Sequence, residues 1–477
     1  MTGRSELSGT DAGGRAIAAG DDVIDVLVIG GGMAGVAALL SATEDGSRAL
    51  LLEKTNALGG STVMSAGLLA FAGTDEQRAG GITDSVDDLR RDLLETGGHR
   101  SSIELLERYC SDQLATYRWL AECGVIFGRP VAGSGQSIAR SHPIDTTAAI
   151  DSLSRRALDR GAQIRYNVRA DRLIVENERV VGAQVIDDER RTEIRAGAVM
   201  LATGGFSRNQ QLLSRFAPNM ERALRGGAAG STGDGLLMGC KVGAGLIDTP
   251  YIKGTFGIFP WPSVHEEGTG ILPVYKGAIA VNGFGSRFVN ESIPYKEIGD
   301  ACLAQPEALA YQIFDATVLA AADPDVAIYD FDKRVAAGHV QQAGTIGELA
   351  ELLGLPRDVL EETVFEYNRR LQAGSADEFG RTTLSGGIGQ ATPLLVAPFY
   401  GYPSTAVVLA TYCGLAVDAS ARVLDVFNEP IPGLYAAGEL TGGFHGAGYV
   451  TGTSIGKAAV FGRVAGHAAA LEAKGRQ

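Results

Sequence analysis

The clearest chemical pattern in the chain is a set of three glycines, Gly30, Gly32 and Gly35, spaced as G-x-G-x-x-G. They follow a short apolar run, residues 25–30, and open an alanine-rich segment with helical character. In such strand–turn–helix units the first glycine makes the turn, the second admits a pyrophosphate, and the third allows close helix–strand packing. The N-terminus of the helix then faces the phosphates. The pattern predicts a dinucleotide-binding site.

An acidic residue supports the same interpretation, because Glu53 ends the next apolar run, residues 49–54. A carboxylate at this spacing is placed to bind a ribose hydroxyl. The three glycines alone do not separate NAD from FAD. Four further glycine-rich turns follow, at residues 58–67, 198–205, 232–235 and 433–443. A single NAD-binding unit does not need them all, whereas an FAD extended along a whole domain does.

The elements that must position these residues are those of an α/β fold. Buried β-branched runs alternate with helical segments on both sides of a middle block that is richer in aromatic residues and prolines. We expect a flexible tail at residues 1–22 and a Rossmann-like FAD-binding domain split into residues 23–235 and 396–477. Residues 236–395 are expected to form an inserted α+β cap, or catalytic domain.

Composition narrows the class of protein further. The chain of 477 residues is 45% hydrophobic and 21% charged, which is typical of globular proteins. Its formal net charge of −14 argues against a nucleic-acid partner. The five cysteines include no CxxC pair, so no metal site is expected, and they fit a reducing compartment. The sequence has no 18-residue apolar run, so we expect no transmembrane segment and a cytoplasmic location.

Several motifs together carry a family resemblance. The chain resembles the superfamily of FAD-dependent fumarate reductase and succinate dehydrogenase flavoproteins, across about residues 23–470. The matching motifs are VIGGGMAG from Val28, the pair Glu53–Lys54, GGST from Gly59, ATGG from Ala202, TGDG from Thr232, GSRFVNE from Gly285, GLYAAGE from Gly433 and FGRVAG from Phe461.

This resemblance implies a set of FAD contacts. Glu53 would hold the adenosine ribose, Val168 would meet adenine, and a helix N-terminus near Ser454 would lie by the pyrimidine end of the flavin. Members with covalent FAD carry a histidine where this chain has Thr62, so non-covalent FAD is expected. The implied cofactor-binding residues are Gly30, Gly32, Gly35, Glu53, Lys54, Gly59, Gly60, Ser61, Ala66, Gly67, Val168, Thr203, Gly204, Asp234, Glu439, Ser454 and Ile455.

The dicarboxylate-binding positions of the superfamily have changed in this chain. Tyr295 stands where the proton-donor arginine would be, Tyr449 replaces a carboxylate-binding arginine, and Ala410 replaces a histidine. A dicarboxylate would therefore lose its bidentate cationic partners. Fumarate and succinate are not expected as substrates.

The tyrosines instead resemble the ketosteroid dehydrogenase branch, and YVTGTSIG from Tyr449 is most similar to the 3-oxosteroid 4-dehydrogenases. This implies α,β-dehydrogenation of a cyclic ketone, in which a tyrosine removes the α-proton and the β-hydride passes to flavin N5. Tyr295 and Tyr449 would share proton abstraction and carbonyl polarisation, and the base tyrosine would need a lowered pKa. Gly452 N–H is a candidate donor to the carbonyl. Thr451 would relay the proton, or simply cap the following helix.

The substrate would be a 3-oxosteroid or a smaller ring ketone such as 4-oxocyclohexanecarboxylate. The sequence has no haem or iron–sulfur ligand set, so an external electron acceptor is expected. Two alternatives stay open. One is an ene-reductase, or fumarate reductase-like reduction of an activated C=C bond. The other is a non-catalytic flavoprotein.

Overall fold

The computed structural model describes residues 24–261, 270–375, 377–385 and 388–475, and the predicted tail at residues 1–22 lies outside them. The described strands are β1 (Ile24–Ile29), β2 (Ala49–Leu52), β3 (Leu68–Ala70), β4 (Ser141–Pro143), β5 (Gln163–Arg165), β6 (Val168–Glu176), β7 (Arg179–Asp187), β8 (Arg190–Leu201), β9 (Leu224–Arg225), β10 (Leu246–Ile247), β11 (Thr255–Ile258), β12 (Ile279–Asn282), β13 (Ala310–Asp315), β14 (Gln341–Ala343), β15 (Thr383–Ser385), β16 (Ile388–Gln390), β17 (Phe399–Val408), β18 (Gly414–Leu415), β19 (Arg422–Leu424) and β20 (Pro430–Ala436).

The described helices are α1 (Met33–Glu44), α2 (Asp75–Ala79), α3 (Val86–Thr96), α4 (Ile103–Glu122), α5 (Thr146–Asp159), α6 (Gln210–Phe216), α7 (Asp234–Lys241), α8 (Tyr295–Leu303), α9 (Ala316–Leu319), α10 (Phe331–Ala336), α11 (Ile346–Leu353), α12 (Arg357–Gln372) and α13 (Thr453–Lys474).

A largely parallel sheet forms the first half of the architecture, with the strand order β19-β20-β8-β1-β2-β5. Every residue of β1 is buried, as expected for a strand covered on both faces. Strand β1 pairs in parallel with β2 and β8, and β20 pairs in parallel with β8. The predicted α/β fold is confirmed, and the two Rossmann-like segments meet in one sheet because β20 lies beside β8.

Helices α1 and α13 pack unusually closely against each other. A Cβ on Gly462 would lie 2.4 Å from the carbonyl oxygen of Ala34, and one on Gly466 would lie 2.3 Å from that of Ala38. These glycines let the two backbones approach, which brings the C-terminal helix against the helix that begins at the glycine fingerprint. Both helix N-termini are thereby held at fixed positions.

The second sheet has the order β11-β17-β13-β12, with β9 and β14 also paired to β17. We call it the cap sheet. Strand β17 follows the predicted domain boundary at residue 395, yet it is the most connected strand of this sheet. The predicted domain division remains a prediction, and strand pairing favours placing the second boundary after β17 rather than before it.

Replacing Gly466 by valine should destabilise the protein, because no side chain fits against the Ala38 carbonyl. We expect a loss of about 2 kcal/mol or more in the free energy of unfolding, the range of other overpacked cores. His467→Val, at the exposed neighbouring position, is the matched control. Chemical denaturation of both variants measures the difference, and equal stabilities would contradict the packing argument.

Candidate active site

A cavity of about 580 Å³ opens where β1, β2 and β8 end and is closed on its other side by residues of β11 and α8. This is the crevice at the carboxyl ends of parallel strands where α/β folds bind ligands. The cavity is lined by all four predicted catalytic residues, Tyr295, Tyr449, Thr451 and Gly452. It is also lined by most of the predicted cofactor contacts, namely Gly30, Gly32, Glu53, Lys54, Gly60, Ser61, Ala66, Val168, Thr203, Gly204, Asp234, Glu439, Ser454 and Ile455.

Three predicted cofactor residues, Gly35, Gly59 and Gly67, are not among the lining residues. Gly35 has a packing role, because a Cβ there would lie 1.8 Å from the Gly30 carbonyl oxygen. This agrees with the role of the third glycine of the fingerprint. Gly67 has a φ of +67° and would place a Cβ 2.5 Å from the Ile144 carbonyl oxygen, so it too shapes the backbone.

The Glu53 carboxylate is held in place by its own neighbourhood. Its Oε2 accepts a hydrogen bond from Gly31 N at 2.8 Å, and its Oε1 accepts from Thr55 N and Oγ1, both at 2.8 Å. Next to it, Lys54 Nζ lies 2.8 Å from Asp234 Oδ2. The opposite charges of Lys54 and Asp234 compensate each other beside the predicted ribose position.

The cavity has features that suit an extended dinucleotide. Helix α1 has Gly32 as its N-cap and α13 has Gly452, and neither N-cap residue supplies a side-chain hydrogen bond. Such N-termini attract negatively charged groups. The Thr203 hydroxyl is buried and has no hydrogen-bond partner among the described residues. The residues present therefore fit FAD, whose phosphates would be held at the N-terminus of α1 and whose flavin would lie near that of α13.

The other end of the cavity, which we call the tyrosine end, contains Thr255, Tyr295, Tyr412, His445 and Tyr449. The Tyr412 and Tyr449 rings stack with centroids 4.9 Å apart, and the Tyr295 ring meets Tyr449 edge-on at 6.3 Å. The centroid of the His445 ring lies 4.9 Å from that of Tyr412 and 5.4 Å from that of Tyr449. The fold therefore brings together Tyr295 and Tyr449, which are 154 residues apart in the sequence.

The hydroxyls of this cluster have defined partners. Gly452 N donates to Tyr449 Oη at 3.1 Å, so the amide predicted to bind a carbonyl is used here to orient a tyrosine. Ser134 N donates to Thr451 Oγ1 at 3.0 Å, and Thr451 N donates to Ser134 O at 2.9 Å. Because Gly452 is the N-cap of α13, Thr451 does not cap that helix. Its hydroxyl lies near Tyr295 and lowers the pKa of that tyrosine, against the effect of burial.

The expected lowering of a tyrosine pKa does not occur in this environment. Burial, followed by the proximity of Tyr449, raises the pKa of Tyr295 well above its ordinary value, and the Thr451 hydroxyl only partly opposes this effect. Burial also raises the pKa of Tyr449, although the hydrogen bond from the Gly452 amide partly opposes this effect. Burial lowers the pKa of His445 well below its ordinary value, with Lys457 adding to the effect. All three side chains are therefore neutral near pH 7.

The segment that delivers Tyr295 is anchored by a buried ion network. Arg287 Nη2 lies 2.6 Å from Glu291 Oε2, Arg287 Nη1 lies 2.8 Å from Asp377 Oδ2, and Arg381 Nη1 lies 3.2 Å from Glu291 Oε2. The Glu291 carboxylate also accepts a hydrogen bond from Ala280 N at 2.9 Å. Arg287 and Glu291 belong to the GSRFVNE motif, so this motif anchors the chain just before Tyr295 without lining the cavity.

The sequence motifs place Tyr412 near the flavin and His445 in a glycine-rich segment that could face the cofactor, but they give Lys296 no role in the site. Tyr412 also has a φ of +52°, in the left-handed region, which a sequence does not display. Lys296 directly follows Tyr295, and its side chain is buried beside the rings of Tyr295 and Tyr412. No motif marked it.

The fold and cavity thus define a flavoprotein. The model of the FAD binding domain family matches residues 25–455, and the chain belongs to that family. It is an FAD-dependent oxidoreductase of the superfamily that includes fumarate reductases and ketosteroid dehydrogenases, and the predicted FAD cofactor is confirmed. Among the described residues, no helix is long and apolar enough to cross a membrane.

Similar proteins fall into two groups. The chain is 32% identical to urocanate reductase of Eggerthella lenta over 88% of this chain and 70% of that protein. It is 30% identical to NADH:fumarate oxidoreductase of Klebsiella pneumoniae over 94% of this chain, but spans only 48% of that protein. The structure of 3-ketosteroid-Δ4-(5α)-dehydrogenase from Rhodococcus jostii, in complex with 4-androstene-3,17-dione, is similar with a TM-score of 0.75 and 28% identity. That match covers 95% of this chain and 98% of that chain.

The Glu53 carboxylate should contribute to FAD retention. A hydrogen bond to a charged group is worth about 1.5–3 kcal/mol, so Glu53→Gln should weaken FAD binding about 10–100-fold. Glu176→Gln, at an exposed position on β6, is the matched control. Fluorescence of FAD released on dilution measures the dissociation constant, and equal affinities would contradict this placement of the ribose.

Acid precipitation tests the expected attachment mode of the cofactor. Because Thr62 stands where covalent members carry histidine, all of the flavin should remain in the supernatant as FAD. Flavin absorbance in the washed pellet would show a covalent bond.

Proposed function

We propose that the protein catalyses FAD-dependent α,β-dehydrogenation of a cyclic ketone. The observation that carries this proposal is the chemistry of the tyrosine end, where the rings of three tyrosines pack together and the residues that define this end include no arginine. The cations that do line the cavity are Lys54, Arg169 and Lys457. Lys54 is paired with Asp234, and Lys457 Nζ donates to Thr441 O at 2.6 Å.

The walls around the tyrosine end favour a neutral ring. Thr255 of the tyrosine end belongs to β11, and apolar side chains of β11 and of other segments line the cavity, namely Phe256, Ile258, Leu272, Ile328 and Leu409. A buried carboxylate without a cationic partner carries a large desolvation penalty. A ketone oxygen needs only hydrogen-bond donors, which neutral tyrosines supply. These observations favour a ring ketone over a dicarboxylate, and among ring ketones they favour a neutral 3-oxosteroid over 4-oxocyclohexanecarboxylate, which carries a carboxylate of its own.

Hydride acceptance is the chemistry that FAD supplies when bound, and the protein must handle the proton and the carbonyl. One hydroxyl of the Tyr295–Tyr449 pair donates to the carbonyl oxygen, so that negative charge developing there is stabilised. The other takes up the α-proton while releasing its own. The raised pKa values of both tyrosines make them hydrogen-bond donors and proton relays rather than standing bases. Electrons then leave to an external acceptor.

Reduction of an activated C=C bond is the second candidate function. It uses the same site in the opposite direction, and the curated relatives named above are reductases. Neutral tyrosines with raised pKa values are also competent proton donors for this direction. The redox partner decides which direction operates.

Removing either tyrosine hydroxyl should slow the reductive half-reaction while FAD stays bound. Positioned acid–base groups contribute about 10²–10⁴-fold and oxyanion donors about 10²–10³-fold, so Tyr295→Phe and Tyr449→Phe should each slow anaerobic flavin bleaching about 100-fold or more. Thr451→Ala should have a smaller effect, about tenfold, if water replaces its relay. Tyr311→Phe, on β13 outside the cavity lining, is the control. Bleaching at near wild-type rates in both site variants would refute these roles.

Substrate class is tested on the wild-type protein. Stopped-flow bleaching against 3-oxosteroids and substituted cyclohexanones should reveal an active ketone. Succinate oxidation and fumarate reduction should be undetectable, because Tyr295, Tyr449 and Ala410 offer no charge to a carboxylate. Turnover of either dicarboxylate as fast as the best ketone would overturn the assignment.

A further inference from the structure

Lys296 occupies an unfavourable place for a cation. Its residue surface is only 2% exposed, and it lies in the first turn of α8, where the helix dipole disfavours positive charge. Within the described part of the chain it forms no salt bridge, unlike Lys253, which pairs with Asp300 at 3.4 Å. Buried lysines usually have an ionic partner. This arrangement suits a neutral amine better than an ammonium.

The amine is connected to the cavity through one hydroxyl. Lys296 Nζ lies 2.5 Å from Thr255 Oγ1, and Thr255 lines the tyrosine end. Nζ also lies 4.9 Å from the centroid of the Tyr412 ring and 5.7 Å from that of Tyr295. The titratable and charged groups around it are Lys253, Tyr295, Asp300, Tyr412, Glu439 and His445.

Electrostatics around Lys296 agree with this geometry. Burial lowers the pKa of Lys296 to about 7, although Glu439 and Asp300 oppose the shift. The free amine therefore predominates above pH 7, where the tyrosines of the cluster are still protonated. Lys296 supplies a basic lone pair in a site whose tyrosines and histidine carry no charge at that pH.

We propose that Lys296, acting through the Thr255 hydroxyl, is the proton acceptor of the reaction, and its proton donor in the reductive direction. The proposal rests on the proposed function, because it assigns the fate of the substrate α-proton. Lys296 reaches the cavity through Thr255. It is therefore a positioning residue, which sets where the proton goes without contacting the substrate itself.

The proton balance of the step is simple. The α-C–H bond breaks, and its electron pair stays on the substrate. The proton passes to the relaying tyrosine, and the proton which that tyrosine releases reaches Thr255 Oγ1 at the cavity wall, while the proton that Thr255 already carries moves to the lone pair of Lys296 Nζ. The amine becomes an ammonium, and exchange with solvent restores it between turnovers. In the reductive direction the same three transfers run backwards.

The first test reads the ionisation of Lys296 in the FAD-loaded protein without substrate. Carbon-13 NMR of protein labelled at the lysine ε-carbon should show one resonance titrating near pH 7 that is missing in Lys296→Met. Thr255→Val should shift that midpoint, whereas Lys276→Met should not. Lys276 is the matched control, because it also lies over a tyrosine ring, 4.2 Å from the centroid of Tyr329. A Lys296 midpoint above pH 9 would exclude it as the acceptor.

The second test is the pH profile of flavin bleaching by the best ketone. In the wild type the rate should rise through about pH 7, since the free amine is the active form. In Lys296→Met and Thr255→Val that limb should disappear and the rate at pH 8 should fall about 100-fold, as for a lost acid–base group. The double variant should be no slower than either single one, and Thr255→Ser should restore the limb.

The two proposals can fail separately. If no ketone bleaches the flavin even in the wild type, the proposed function fails, and the NMR midpoint alone decides whether Lys296 can accept a proton. If ketones bleach the flavin and the pH limb persists in Lys296→Met, the assignment of Lys296 is overturned while the proposed function stands. FAD absorbance in every variant shows that the fold is intact.

Discussion

The site depends on a cluster of buried ionic groups that anchors the chain between β12 and α8. Arg287, Glu291, Asp377 and Arg381 form one compensated network away from solvent. Removing one member of such a network leaves an uncompensated buried charge, which destabilises a protein by about 3–5 kcal/mol. The network therefore holds the chain between β12 and α8 in one conformation. Tyr295 and Lys296 begin α8 directly after this anchored segment, so their positions are fixed as well.

The flavin domain imposes the complementary constraint. Close packing of α1 on α13, made possible by Gly462 and Gly466, places two helix N-termini at one cavity. Tyr449 and Thr451 precede α13, and the backbone of Ser134 holds Thr451 in place. The site thus assembles from two independently anchored segments, one leading into α8 and the other into α13. A shift of either segment would separate the Tyr295 and Tyr449 rings.

The distribution of charge around the site supports the proposed ring ketone, rather than a dicarboxylate, as substrate. Charges deep in the molecule are paired within the scaffold, as in the Arg140 interactions with Asp84 and Asp92. The tyrosine end has hydroxyls and apolar walls instead. Burial that raises the pKa values of Tyr295 and Tyr449 would also strengthen their hydrogen bonds to an enolate in the proposed dehydrogenation, because a low dielectric enhances such interactions. The same burial favours the neutral amine of Lys296.

The sequence by itself determined the local features, because they depend on short-range rules. The fingerprint predicted β1 and α1, the apolar run at residues 49–54 predicted β2, and the glycine turns predicted FAD rather than NAD. Only the tertiary structure decided that β17 joins the cap sheet and that Thr451 binds Ser134 instead of capping α13. It also decided that the buried tyrosines stay protonated, and it showed that the Lys296 side chain is buried beside them. Burial and long-range contacts set pKa values and pairings, and neither is encoded in residue type or spacing.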